Sequence, residues 1–343
     1  MRKLRYIIYL SLALVVTACN HKELCYTHRD HAHKFHIKVN ADYRYDWEEN
    51  YGYIDWVSNW PDHYIDYESL RPETPTGIRV VNYNENNDSK IHNIGANGGV
   101  VTLYEGVNDI LFYNNDTEYI LFQREDDGNK ATTRASTRTR TRATYLGSEY
   151  TKQGEETVTP PDVLFANFVE SYVPEKSVEP VEVPTTLQPL VFTYKIRYEF
   201  DEGVQYIVRA RGALSGMAKS VLLESGETSA DAATLLFDNC EVTDYGVRAI
   251  VNSFGIPAFP NANYPARSEL QNGLQLEVYL RGAANNKKVF NFDVTDQISK
   301  QPHGGVIVVK CPGITEEEGM QGSGGFDVDV NEWGDYEDVI LPF

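Results

Sequence analysis

Cysteine is scarce in this 343-residue chain: Cys19, Cys25, Cys240 and Cys311 are the full complement. So few thiols cannot form a disulfide framework for a body of this size, and stability must come from an apolar core. Basic charge is short as well, with 31 Lys and Arg against 50 Asp and Glu and a formal charge of −19. A body so acidic is repelled by nucleic acid and by anionic lipid, which argues against a nucleic-acid partner. No apolar run reaches the ~20 residues that a permanent membrane helix requires. Helical heptads and repeats of 20 to 50 residues are also missing. There is no Gly-x-Ser-x-Gly elbow, no His-Glu-x-x-His and no phosphate-cradling glycine loop, so no catalytic residue, cofactor or metal is assigned and the chain reads as a non-enzyme. A pair of carboxylates acting on a glycan stays open, because Asp and Glu are abundant.

What is present begins at the N-terminus. Arg2, Lys3 and Arg5 precede the apolar run Ile7 to Val16, which leads into Thr17-Ala18-Cys19. This is the three-part layout of an export signal, with an h-region about half the length of a membrane span. A small residue directly before Cys19 resembles the lipobox of bacterial lipoproteins. The resemblance implies that residues 1–18 are removed and that Cys19 is acylated, fixing Cys19 to Phe343 at a membrane surface. Two or more acyl chains anchor stably where one does not, since each buried CH₂ contributes roughly 0.8 kcal/mol. Removal of the three cations would leave the mature chain at −22. Residues 19–34 are polar and His-rich and read as a tether.

The body reads as all-β. Phe35 to Tyr43 alternates apolar and polar residues, so one face is buried. Short apolar runs follow at Gly77 to Tyr83, Gly99 to Tyr104, Asp109 to Tyr113 and Glu118 to Gln123, separated by Asn-, Asp- and Gly-rich turns. The last two, joined across Asn114-Asn115-Asp116, predict a hairpin. Strands spaced in this way indicate a sandwich or barrel. The stretch 131–144 then changes character. It is rich in Thr, Ala and Ser, carries Arg134, Arg138, Arg140 and Arg142, and has no apolar residue larger than Ala. It reads as a mobile loop that either offers arginines to an Arg-specific protease or simply offsets local acid. Residues 174–189, with prolines at 174, 180, 184 and 189, read as a linker or crossing between an N-terminal domain (35–173) and a C-terminal domain (190–343). In the second domain Leu190 to Phe200 and Gln205 to Gly212 flank Asp201-Glu202-Gly203, a second predicted hairpin. Leu214 to Glu224 reads as a turn entering a strand. Further strands are expected at Ala233 to Cys240, Gly246 to Phe254, Leu274 to Arg281, Lys288 to Asp293, Gly305 to Lys310 and Phe326 to Val330, with one helix at Val294 to Lys300.

Five stretches, taken in order, resemble one family: Cys19 to Tyr26, Ala41 to Trp47, Phe112 to Glu118, Pro161 to Ala166 and Leu214 to Ala218. That family is the Mfa-like, fimbrillin-associated lipoproteins of Bacteroidales. The resemblance implies two tandem transthyretin-like β-sandwich domains and lipid attachment through Cys19 at the outer membrane, facing the cell surface. It also implies a role as fimbrial anchor or accessory subunit. The partner would be a fimbrial subunit or another β-sandwich surface protein, engaged by strand addition, in which backbone ladders supply affinity and alternating side chains supply specificity. The terminal run carrying Trp333, Tyr336, Val339, Leu341 and Phe343 is a candidate strand for that interface, set against the plainer reading as the last strand of its own domain.

Other features have plainer explanations. His28, His31, His33 and His36 have ligand-like spacing but no scaffold to impose metal geometry, so they read as part of the tether. Asp327-Val328-Asp329-Val330-Asn331 offers calcium-loop oxygens, but Glu332 stands where that loop needs glycine, and strand alternation accounts for the pattern. Cys240 and Cys311 are a possible disulfide. Trp47, Trp56 and Trp60 leave open a second reading, a surface glycan-binding lipoprotein that stacks sugar rings on indoles.

Overall fold

A computed structural model describes residues 34–45, 71–86, 88–124, 133–140, 155–259, 272–282 and 286–321. The fold is all-β, as expected, and it is built on three apolar clusters. The first cluster fills a closed ring. Strand β1 (Lys34–Tyr43) pairs in parallel with β11 (Val181–Pro189) and antiparallel with β4 (Gly98–Thr102). The ring continues from β11 through β9 (Phe165–Tyr172), β5 (Asn108–Asn114), β2 (Gly77–Asn84) and β3 (Ser89–Gly95) back to β4, while the short β10 (Lys176–Ser177) adds to the start of β1. Ile37, Val39, Ile78, Val80, Ile110, Phe112, Phe165 and Leu187 point inward. Burial of each such side chain contributes roughly 1.5–3 kcal/mol.

Strands β2 and β5 are buried on both faces. Their alternate residues Val81, Tyr83, Leu111 and Tyr113 join the second cluster, against a three-stranded sheet of β6 (Ile120–Arg124), β7 (Thr133–Thr137) and β14 (Ser220–Leu222). The third and largest cluster lies between two sheets of the C-terminal half. One has the order β16 (Glu241–Val242), β17 (Gly246–Ser253), β12 (Phe192–Phe200), β20 (Gly305–Cys311). The other runs β19 (Lys287–Asp293), β18 (Gly273–Leu280), β13 (Ile207–Ala218), β15 (Ala232–Phe237), β8 (Glu156–Val158). Tyr194 and Tyr198 cross this core fully buried, and Tyr194 donates its hydroxyl hydrogen to the Gln301 carbonyl at 2.7 Å. Helix α1 (Thr295–Lys300) is the expected helix, and a single capped turn, α2 (Glu316–Gly319), follows β20.

Four expectations are corrected by the pairing. Neither predicted hairpin forms: β5 and β6 belong to different sheets, as do β12 and β13. The Asn114–Asp116 and Asp201–Gly203 turns are crossings between layers, the second passing through Gly203 at φ 86 into a 3₁₀ turn. Residues 181–189 are not linker but a strand of the ring. Pro184 is tolerated because β9 pairs with β11 only at Gln188 and Pro189, leaving the other edge of β11 open at Pro184. The expected loop 131–144 is ordered strand over 133–137, held by β6 on one side and β14 on the other.

The halves also exchange strands. Strand β8, from the N-terminal half, pairs in parallel with β15, and β14, from the C-terminal half, completes the sheet over the second cluster. Residues 138–140 continue β7 across to β8: Thr159 N–H donates to the Arg138 carbonyl at 3.0 Å and Arg140 N–H to the Thr157 carbonyl at 2.7 Å. The two halves are therefore interlocked through backbone ladders.

Candidate functional site: the motif joint and the sheet edges

Three of the stretches that carry the resemblance meet at one end of the ring. Asn114 ends β5 and reaches the start of β9: its Nδ2 donates to the Val163 carbonyl at 3.0 Å and its Oδ1 accepts from Phe165 N–H at 2.7 Å. Asp116 accepts from Thr76 N–H at 2.6 Å, Thr76 hydroxyl at 3.0 Å and Asn114 Nδ2 at 2.9 Å. Partial burial alone would raise the Asp116 pKa, but these donors outweigh it and hold the carboxyl below its ordinary range. Asp162 accepts from the backbone N–H groups of Glu118 and Tyr119. Tyr43 and Tyr45 set their rings edge-on to Phe165 with centroids 5.2 and 5.5 Å away. Burial, with Asp116 and Tyr45 nearby, pushes the Tyr43 phenol up to about 12.

A fourth stretch, Leu214 to Ala218, is a bulge in β13. Gly216 has φ 76, its N–H donates to Glu155 Oε2 at 3.2 Å, and Asn272 Nδ2 donates to its carbonyl at 3.0 Å. The bulge lets Met217 enter the third core and Ala218 the second. At these joints Asp116, Asp162 and Glu155 accept from backbone amides and so fix the crossings. Among the described residues no group of three His, Cys, Asp or Glu side chains could hold a metal. Cys240 and Cys311 are free thiols, each raised to about 12, chiefly by burial.

The edges of the sheets are where a strand-adding partner could act, and several are closed. The ring has joined its own ends through β1 and β4. Strand β8 is covered by residues 138–140. Beyond β14, Ser229 N–H donates to the Ser220 carbonyl and Leu222 N–H to the Glu227 carbonyl, both at 2.8 Å. Strand β20 is sealed by side chains. Gln297 Nε2 donates to the Val308 carbonyl and its Oε1 accepts from Val308 N–H, both at 2.9 Å. One helical turn on, Gln301 repeats the pattern on Val306 at 2.9 and 2.8 Å. Two primary amides thus stand where a neighbouring strand would place two peptide groups. By contrast, among the described residues, β19 runs seven residues with its ladder to β18 alone and β6 five residues with its ladder to β7 alone.

Of the sequence candidates, Arg134 lies in β7, and Arg140 forms an ion pair with Asp238 while its Nη1 donates to the Leu236 carbonyl at 3.0 Å. Arg138 is exposed, with its carbonyl in the β8 ladder. The structure therefore places Arg134 in a paired strand and Arg138 and Arg140 on either side of the Thr139–Val158 bridge. Arg142 lies outside the described residues. So do Cys19, His28, His31, His33, the indoles of Trp47, Trp56 and Trp60, the acidic run 327–331, and Trp333, Tyr336, Val339, Leu341 and Phe343. The edge glutamines were not anticipated. Their i, i+4 spacing was visible, but the strand they face was not.

Residues 62–238 match the family model described as a domain of unknown function, DUF5119. The chain belongs to this family. The DUF5119 match runs through β8, β14 and β15, so the interlocked strands lie inside it. Over 302 residues the chain is 22% identical to Fim4B of Bacteroides ovatus, a protein named as a fimbrium anchoring subunit, covering 81% of this chain and 88% of that one. A crystal structure described as an adhesin of Bacteroides ovatus overlays with a TM-score of 0.55 at 19% identity, covering 85% of this chain and 93% of that one, which shows a common fold. The fimbrial anchor protein Mfa2 of Porphyromonas gingivalis is a looser match, with a TM-score of 0.43 at 10% identity over 80% of this chain and 90% of that one. The expected likeness to a protein named as a fimbrial anchor is thus found.

Proposed function

We propose that this DUF5119 protein is a lipid-anchored subunit of the bacterial surface that anchors or assists a fimbrium and meets its partner by β-strand addition. Cys19 carries the lipid and holds the body at the outer membrane. The interlocked sheets form a rigid support, and the partner is another β-sandwich subunit. The observation that carries this reading is the contrast among edges. A fold that closes its ring, covers β8 with 138–140 and seals β20 with two glutamines keeps, among the described residues, the seven-residue β19 paired on one side only, a longer run than β6, which is likewise paired only to β7. The similarity to a protein named as a fimbrium anchoring subunit supports it. The run holding Trp333, Tyr336, Val339, Leu341 and Phe343 is the strand proposed to take part in that pairing.

The test is co-purification from cells that express the full chain, a Cys19→Ala variant and a chain lacking residues 330–343. The full chain is expected in the membrane fraction with a second β-sandwich protein. Cys19→Ala is expected in the soluble fraction, and the deletion is expected to lose the partner. Saturable binding of a soluble polysaccharide without any protein partner would favour the glycan-binding reading in its place.

A further inference from the structure

The outward face of the sheet ordered β16, β17, β12, β20 is basic, on a chain whose formal charge is −19. Tyr194, Ile196, Tyr198 and Phe200 of β12 point into the third cluster, as do Val247 and Ala249 of β17 and Val309 and Cys311 of β20, so alternation turns the residues between them outward. The strands thereby set the cations Lys195, Arg197, Arg248 and Lys310 on this face against two carboxylates, Glu199 and Glu241. The register places Arg197 directly opposite Arg248, and like charges so placed weaken a ladder unless they are offset. Each guanidinium has a partial offset. Arg197 Nε donates to Glu199 Oε1 at 2.7 Å, with the guanidinium carbon 3.6 Å from the Tyr245 ring centroid, and Arg248 Nε donates to Glu241 Oε2 at 2.8 Å. Lys195 has none. Among the described residues no carboxylate pairs with its ammonium, and partial burial, then Arg248 and Arg197, lower its pKa. Elsewhere the fold does pair such a group: Arg211, 5% exposed in the five-stranded sheet, meets Glu277, 1% exposed, at 2.7 Å. The outward face also holds donors in reserve, since among the described residues Arg197 bonds through Nε alone and Arg248 through Nε and Nη2.

We propose that this face docks an extended acidic segment of a partner protein, with carboxylates set among Lys195, Arg197 and Arg248 and aliphatic side chains against Ile250. Three observations choose this occupant. A carboxylate placed there supplies the counter-charge that Lys195 lacks and accepts from guanidinium nitrogens that Glu199 and Glu241 leave unused. Lys195 and Arg197 stand two residues apart on one strand, roughly 7 Å, which is also the spacing of side chains on one side of any other extended chain. Ile250, opposite Lys195 in the register, is 44% exposed, so the patch is apolar as well as basic. An acidic polysaccharide gains less here, because the ring beside the patch that could stack a sugar, Tyr245, already stacks Arg197. The negative charge of the rest of the body does not forbid the contact. It is screened beyond about 8 Å at physiological salt, so the cations at the face decide what binds. Strand β19 lies in the opposite sheet of this half, so the docking stands independently of strand addition there.

The experiment measures, by fluorescence anisotropy at physiological salt, binding of the full chain to a labelled peptide in which Glu alternates with Val. Saturable binding is expected, and the same peptide with Gln in place of Glu is expected not to bind. Lys195→Gln is expected to weaken binding about tenfold, because the contact it loses is a charge-assisted hydrogen bond. The same change removes repulsion from two guanidiniums, so the urea midpoint of Lys195→Gln is expected to hold or rise, which separates lost binding from lost folding. Lys38→Gln is the control, since Lys38 lies on β1 and pairs with Glu182, and it is expected to leave binding unchanged. Absence of saturable peptide binding, equal binding by Lys195→Gln and the unaltered chain, or an equal loss in Lys38→Gln would overturn the proposal. So would capture of polygalacturonate in preference to the peptide.

Discussion

Replacing Gln301 by Met tests the sealed edge of β20 with side-chain volume nearly conserved. Gln301 is 3% exposed and Val306 1%, so water does not reach their contact. The substitution removes the donor to the Val306 carbonyl and the acceptor for Val306 N–H, at 2.9 and 2.8 Å, and leaves both peptide groups dry and unpaired. Each such group costs about 1–3 kcal/mol, and methionine returns part of this as apolar burial, so the net loss is about 2–4 kcal/mol. With a urea m-value near ~3 kcal/mol/M, the unfolding midpoint falls by about 1 M with the slope unchanged. Gln297→Met is the internal control. Gln297 is only partly buried, water can replace its amide at Val308, and the loss is about 1 kcal/mol. Amide exchange should rise at Val306 in the first variant and at Val308 in the second. Equal destabilisation by the two, or a Gln301→Met effect within about 0.5 kcal/mol of zero, would refute the edge-sealing argument.

Two further outcomes follow from the described residues. His303 stacks on Phe192 with centroids 4.1 Å apart, and burial lowers its pKa to about 4. The unfolded chain therefore binds the extra proton first, and stability falls as pH drops from about 6.5 toward 4, by roughly 2–3 kcal/mol. His303→Phe should remove that slope in pH-dependent denaturation, and an unaltered slope would assign it to carboxylates. An Arg-specific protease is expected to spare the bonds after Arg134, Arg138 and Arg140 in the native protein, because Arg134 lies in β7 and the backbone of Arg138 and Arg140 is hydrogen-bonded to Thr159 and Thr157 on either side of the Thr139–Val158 bridge. Fragments ending at those residues, found by mass spectrometry before unfolding, would restore the mobile-loop reading.

The amino-acid sequence by itself determined the class of this protein and much of its strand list. Alternation at Phe35 to Tyr43 and the double-sided apolar run at Asp109 to Tyr113 encode strands through which faces must be dry, and that property is local. What it left open is which strand lies beside which. Asn114-Asn115-Asp116 and Asp201-Glu202-Gly203 have the composition of hairpin turns, yet both lead from one layer to another, because a tight reversal and an interlayer crossing need the same backbone conformations. The arginine-rich stretch carried no apolar residue larger than Ala and so no strand signal of its own. It is ordered by β6, β14 and β8, three segments from both halves of the chain. The motif stretches were legible as a set, but their work as joints became visible only when Asn114 met Phe165 and Glu155 met Gly216. Gln297 and Gln301 became edge caps only when α1 packed beside β20. Side-chain pattern is short-range information, whereas strand partners, sealed edges and the buried charges of Arg211 and Glu277 are set by contacts between residues far apart in the chain. Those contacts exist only in the assembled fold.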